Sequence, residues 1–236
     1  MLPKNKVLLF NEWITLVSLH EEALLKIGHE VFRAFTEGRG ETYDQASLEL
    51  CRQIGDLQTR SREHRAELQE EMAETTPTEG HQRLHKRAGA AVRSGLVGWY
   101  INRNLEGYKS QVVDLKIQLG RRALSAIEDR PMIEGDRHKA LCRYASRIGR
   151  DADRKWTEIQ ARSQSGDKST MAPALLRVMT SFFHLAGKLG MRPLYYKMLG
   201  YDEEGEKVRL KKEYTERESI DLDTLLKPGS DPADSS

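Results

Sequence analysis

One stretch, residues 79–130, constrains this chain more than any other: it contains no proline, and from His81 to Ile127 it carries no cluster of turn-forming residues. Proline removes a helical N–H and clashes with the preceding turn, so its absence leaves room for a long helix. Apolar and small residues recur along the stretch at alternating steps of three and four, the spacing of one helix face. The first series is Leu84, Ala88, Ala91, Gly95, Gly98, Asn102 and Leu105; the second is Leu105, Tyr108, Val112, Leu115 and Leu119. A helix over His81–Ile127 would be roughly 70 Å long at 1.5 Å per residue. Between Leu105 and Tyr108 a second consecutive step of three shifts the phase, which predicts a change of packing partner near Gly107 and a possible bend there.

A helix of that length needs partners, and the flanking segments repeat its pattern. Tyr43 to Ala73 carries Tyr43, Ser47, Leu50, Ile54, Leu57, Ser61, His64 and Leu68 at heptad spacing. Glu134 to Arg162 carries Leu141, Ala145, Ile148, Ala152, Trp156 and Ile159. Thr75–Gly80 and Asp129–Pro131 supply turn signals between them, and short turns make neighbouring helices antiparallel. The expected fold is therefore all-α: an elongated antiparallel helical bundle or coiled coil with a long central helix. The second helix should cover the N-terminal part of the third, and the fourth its C-terminal part.

An amphipathic helix is expected over Glu12–Phe35, capped by Asn11, with Ile14, Val17, Leu24, Ile27, Gly28, Val31 and Phe35 on one face. It and a fifth helix, Ala172–Gly190, are expected to thicken one end of the bundle. A short turn over Leu194–Leu199 and a charged helix over Glu203–Arg217 follow, and the Pro, Gly, Ser and Asp of residues 227–236 predict no fixed structure. The chain divides on these signals into 1–40, the bundle 41–162, an amphipathic segment 163–200 and a charged tail 201–236.

Composition fits thin bundles. The chain is 38% hydrophobic and 31% charged, too apolar for full disorder and too polar for a thick core. Cys51 and Cys142 fall inside helical patterns and read as buried, reduced thiols. Val7–Phe10 is too short for a secretory signal and is followed by Glu12, and no stretch reaches the roughly 20 apolar residues that cross a bilayer. The expected compartment is the cytoplasm. From Asp202 onward there are 11 acidic and 6 basic residues, a net −5, which leaves +7 on the rest.

The motifs for catalysis or metal binding are incomplete. His81 and His85 share a helix face but lack two further zinc ligands. Gly166-Asp167-Lys168-Ser169-Thr170 lacks the first glycine and the preceding strand of a phosphate-binding loop, and Asp167 would oppose phosphate. His20-Glu21-Glu22 and His29-Glu30 lack the second histidine of a zinc-protease helix and read as the edge of an amphipathic helix. No catalytic residue, cofactor or metal is expected, and no small-molecule substrate is evident. An enzyme would have to work from Asn102, Arg103 and Glu106 at the phase shift.

Four features point instead to contacts. Ala88, Ala91, Gly95 and Gly98 are small at four successive seam positions, which allows close helix approach. Arg143, Arg147, Arg150 and Arg154 form a stripe that could follow a phosphate backbone or pair with acidic side chains such as Glu63, Glu67, Glu70, Glu71, Asp151 and Glu158. Leu175, Leu176, Met179, Phe182 and Phe183 give the fifth helix a broad apolar face opposite Arg177, His184 and Lys188. Ile220, Leu222, Leu225 and Leu226 form an apolar island among acidic residues in the tail, a pattern of short docking motifs. These features predict a non-enzymatic scaffold or adaptor subunit of a larger intracellular assembly, acting through protein partners, a second copy of itself included. Two alternatives use the same residues: a nucleic-acid-associated protein reading through the arginine stripe, and a membrane-surface protein resting on helix 172–190.

Overall fold

The computed structural model describes residues 4–39, 43–74, 84–127, 131–166, 171–188 and 191–218; within these, the side chains of 4–8, 68, 71–74, 84–103, 188, 193, 198–199 and 215–218 lie outside that description. Every regular element among the described residues is an α-helix: α1 Lys4–Thr36, α2 Gln45–Glu74, α3 Leu84–Ala126, α4 Asp136–Gln164, α5 Pro173–Lys188, α6 Arg192–Leu199 and α7 Glu203–Glu218. The chain is an all-α bundle. The proline-free stretch forms one unbroken helix of 43 residues, α3, about 65 Å long. Helix geometry continues through Gly107.

The pairing of helices departs from the expectation. α1 is the hub: its main neighbours are α3 and α4, whereas α4 touches α3 only marginally. The reason lies in α1's own sequence. Phe10, Trp13, Ile14, Leu16, Leu19, Ala23, Leu24, Ile27, Val31, Phe32 and Ala34 are all buried, spread over well more than half of the helix circumference. A helix apolar on most sides must be covered on most sides. α1 also begins eight residues before Glu12, since Lys4–Asn11 continue the helix. Asn11 is therefore no cap; its carbonyl accepts the hydroxyls of Thr15 (2.9 Å) and Tyr201 (3.2 Å).

α4 lies antiparallel to α1 along nearly its whole length. Glu12 pairs with Lys155 at 3.1 Å, His20 meets the Ala145 carbonyl at 2.9 Å, and Glu30 meets His138 at 2.9 Å. The predicted α4 seam is buried at Leu141, Ala145, Ile148, Ala152 and Ile159, facing α1 rather than α3. Charged residues of α1 that read as a helix edge are ties between helices: Glu21 to Arg192, Glu22 to Lys211, and His29 to Lys116.

α1 and α3 cross where two glycines meet. A Cβ on Gly28 would sit 1.8 Å from the Lys116 carbonyl oxygen, and one on Gly120 would sit 2.0 Å from that of Leu24. Only hydrogen side chains permit the two backbones to approach so closely. α2 runs antiparallel to α3, from the Asp44–Arg122 ion pair to the edge-to-face contact of the His64 and Tyr108 rings. It therefore accompanies the C-terminal half of α3, where α1 joins it, and the phase shift near Gly107 does not mark an exchange of α2 for α4.

Candidate functional site

α5 and α6 close the open end of the α1–α4 pair through an aromatic cluster. Phe183 is fully buried beside Trp13 (5.7 Å between ring centroids), with Tyr195 and Tyr196 around it. Trp13 in turn packs on Trp156 of α4 at 4.7 Å. The Arg192 guanidinium lies 4.7 Å over the Phe183 ring while bound to Glu21. Gly200, in the left-handed conformation, ends α6 and aims Tyr201 at α1; Asp202 then caps α7 by accepting the Gly205 N–H at 3.1 Å. α7 is held by Ser18 to Glu203 (3.0 Å), Lys211 to Glu22 (2.9 Å) and the Tyr214 hydroxyl to Asp151.

This packing splits the apolar face predicted for helix 172–190. Leu176 and Phe183 are buried and Leu175 and Met179 half-buried, but Phe182 remains 47% exposed. Beside it stand Val178 and Leu185, which with Phe182 follow the i, i+4, i+7 spacing of one outward face. Val178 and Leu185 lie outside the single apolar stripe that the sequence predicts, because the helix carries two such stripes. Of seven large apolar side chains exposed among the described residues, five lie on Val178, Phe182, Leu185, Met191 and Leu194. A cleft of about 360 Å³ between α4 and α5, edged by Trp156, Arg177, Thr180 and His184, borders this region.

The arginine stripe is also split. Arg154 is paired with Asp151 at 3.0 Å, and Arg147 lies 5.9 Å over the Tyr214 ring. Arg143, Arg147 and Arg150 line an open groove of about 1030 Å³ between α4 and the last turn of α3. Lys139 extends their wall, Leu124 of α3 and Ile127 just beyond its end form the other, and His20 also lines the groove. The His20 ring sits where Gly149 leaves space, since a Cβ there would be 2.9 Å from its Cε1. Burial, with Arg121 acting in the same direction, holds the His20 pKa below its ordinary value despite the Ala145 carbonyl bond. None of the described ion pairs joins the α2 acidic stripe to α4; His64–Glu67, within α2, is the pair it forms.

One constellation escaped sequence reading because its members are far apart in the chain. Glu30 Oε2 lies 2.9 Å from His138 Nδ1, and His138 Nε2 lies 3.6 Å from Cys142 Sγ. Carboxylate, imidazole and thiol in that order resemble the arrangement of nucleophilic catalysis. The chemistry of the thiol is wrong for that role. Cys142 is 1% exposed, and burial, reinforced by the Glu30 charge, pushes its pKa up to about 12. A reactive cysteine needs its thiolate favoured. The trio binds α4 to α1. Among the described residues no group of three or more His, Cys, Asp or Glu side chains could hold a metal ion.

The remaining sequence candidates fall elsewhere. Ala88, Ala91, Gly95 and Gly98 lie in the α3 helix, but their side-chain surroundings lie outside the described residues, as do those of Asn102, Arg103 and His85. His81, residues 167–170, and Ile220, Leu222, Leu225 and Leu226 also lie outside them. Glu106 is exposed and Gly107 faces open space. Among the described residues no helix is long and apolar enough to cross a membrane. Comparison with family models, with curated proteins and with solved structures gives no match to this chain.

Proposed function

We propose that this chain is a non-enzymatic helical scaffold or adaptor acting through protein–protein contacts, with the outer face of α5–α6 as a contact surface. The observation that carries the reading is the concentration of exposed apolar side chains there: Val178 at 63%, Leu194 at 51%, Leu185 at 50%, Phe182 at 47% and Met191 at 46%. The two other exposed large apolar residues among those described, Val113 and Val208, lie on separate helices, α3 and α7. Scattered exposed apolar residues are ordinary on a protein surface, but a cluster marks a surface that another molecule covers. Burying each such side chain is worth roughly 1.5–3 kcal/mol, so a few suffice to anchor a partner. The helices beneath are held rigidly by the Phe183 cluster and the Glu21–Arg192 pair. A pre-set face lowers the entropy cost of binding.

The test compares the full chain with Phe182→Asp/Leu185→Asp. Both positions point outward, so helical circular dichroism should be unchanged. Light scattering measures self-association, and co-purification from native cells identifies heterologous partners. The reading requires an association, of either kind, that the double variant loses. A chain that stays monomeric and retains no protein sensitive to the substitution would overturn it. So would flotation of the wild-type chain with anionic vesicles that the same substitution abolishes, since the face would then serve a membrane surface.

A further inference from the structure

We propose that the groove between α4 and the last turn of α3 binds a nucleotide, a small phosphorylated molecule that carries free hydroxyls. The inference is independent of the α5–α6 contact. Lys139, Arg143, Arg147 and Arg150 follow one another at steps of four, four and three, so their side chains emerge along one strip of α4 into the groove. Among the described residues Lys139, Arg143 and Arg150 enter no ion pair, although Asp151 and Glu158 on the same helix are engaged by Arg154, Lys155 and Arg162. Guanidinium groups gathered in this way match phosphate oxygens in shape and charge.

Three further features narrow the ligand. The cationic strip is short, about 16 Å from Lys139 to Arg150, and carboxylates lie at both ends, Asp136 and Asp153. A nucleic-acid strand passing through would bring its outer phosphates against those carboxylates, whereas a compact anion sits between them. The opposing wall is apolar, Leu124 and Ile127. Those two side chains suit the face of a sugar or base, and Arg121, which acts on His20, stands one turn before Leu124 on α3. His20 also lines the groove; it donates from Nδ1 to the Ala145 carbonyl at 2.9 Å, which leaves Nε2 as the acceptor of the neutral ring. An acceptor among cations asks for a hydroxyl rather than a phosphate oxygen. The groove, about 1030 Å³, has ample room for such a molecule.

The experiment is calorimetric titration of the full chain at about 50 mM salt, where phosphate contacts are strong. The probes are ATP, inorganic tripolyphosphate and a single-stranded DNA of about a dozen nucleotides. ATP should bind, and Arg143→Glu/Arg150→Glu should weaken it by at least about tenfold, the scale of lost charge-assisted bonds. Both arginines are exposed, so the variant should keep its helical signal; Lys139→Glu, also exposed, provides a second charge reversal. Leu124→Asp should weaken ATP more than tripolyphosphate. The His20 ring resonances should move on adding ATP and stay still on adding an equal ionic strength of sodium chloride. Absence of ATP binding overturns the proposal. So does binding indifferent to both charge reversals, or tripolyphosphate binding as tightly as ATP. Charge-dependent DNA binding that is tighter per phosphate than ATP assigns the groove to nucleic acid, and likewise overturns it.

Discussion

Replacing Gly28 by alanine tests the central feature of the fold, the crossing of α1 and α3. The added methyl would lie 1.8 Å from the Lys116 carbonyl oxygen and 3.1 Å from the Gly120 nitrogen, where real Cβ atoms essentially never come within 3.0 Å. Both obstacles are backbone, so no rotamer change relieves them. The helices must part by about 1 Å, and a gap of that size forfeits a quarter to a half of each van der Waals contact across it. Leu24, Ile27, Leu119 and Ala123 are buried in the α1–α3 region and share that loss. Overpacking ordinarily costs about 1–3 kcal/mol, and a backbone obstacle belongs at the upper end. Alanine's better helix propensity returns about 1 kcal/mol. The net expectation is destabilisation by about 2 kcal/mol, near 30-fold in the folding equilibrium.

The assay is urea unfolding followed by circular dichroism, with Gly107→Ala and Gly55→Ala as controls. A Cβ at either control position meets nothing within 4 Å. Each control should therefore gain up to about 1 kcal/mol. Gly28→Ala/Gly120→Ala should cost less than the sum of the single changes, because one separation accommodates both methyls. If Gly28→Ala behaves like the controls, α1 and α3 do not cross there and α1 is not the hub described.

Three other outcomes follow from the packing. Asp44 accepts the Ser47 N–H at 2.8 Å and pairs with Arg122, so Asp44→Ala should cost about 1 kcal/mol in the same urea assay. The hydrogen bonds from Arg122 and Ser47 hold the Asp44 carboxyl down to about 2. Its contribution is therefore complete above the unfolded-state pKa of about 4 and lost as pH falls through about 2, a small effect because the pair is exposed. Asp44→Asn should shallow that acid limb, and an unchanged limb would contradict the assignment. Cys51 and Cys142 are 0% and 1% exposed, with thiols pushed up to about 11 and about 12 by burial. Disulfide reagents at pH 8 should modify them only as fast as the chain opens; rapid labelling in native buffer would refute their burial. Phe183→Ala should cost about 3–5 kcal/mol and its neighbour Phe182→Ala less than about 0.5 kcal/mol by thermal or urea melts, because one is enclosed and the other half in solvent.

Helix content was legible from periodicity and punctuation, and the failures have physical causes. The α4 seam is buried at Leu141, Ala145, Ile148, Ala152 and Ile159 and half-buried at Trp156, but heptad spacing states that a face is covered without saying by which helix. The covering helix is α1, whose apolar residues extend around most of its circumference. Reading a single stripe from Ile14 to Phe35 concealed that breadth and placed α1 at the edge. Phe182 and Phe183 likewise do not share one face of α5, because adjacent residues in a helix point about 100° apart. Close helix approach was anticipated at Ala88–Gly98, and the described close approach is between Gly28 and Gly120, residues 92 positions apart. The arginine stripe was visible, yet its division between Asp151, Tyr214 and an open groove required α7 and α3 to be in place.

Local rules of spacing, capping and proline placement act within a turn or two, so the chain alone determined that it would be helical, roughly where each helix runs, and which residues seek cover. Which helix supplies that cover depends on shape matching between segments distant in sequence. Tertiary packing alone decided that α1 lies at the centre, that Glu30, His138 and Cys142 meet, and that the outer face of α5–α6 and the groove beside α4 remain open.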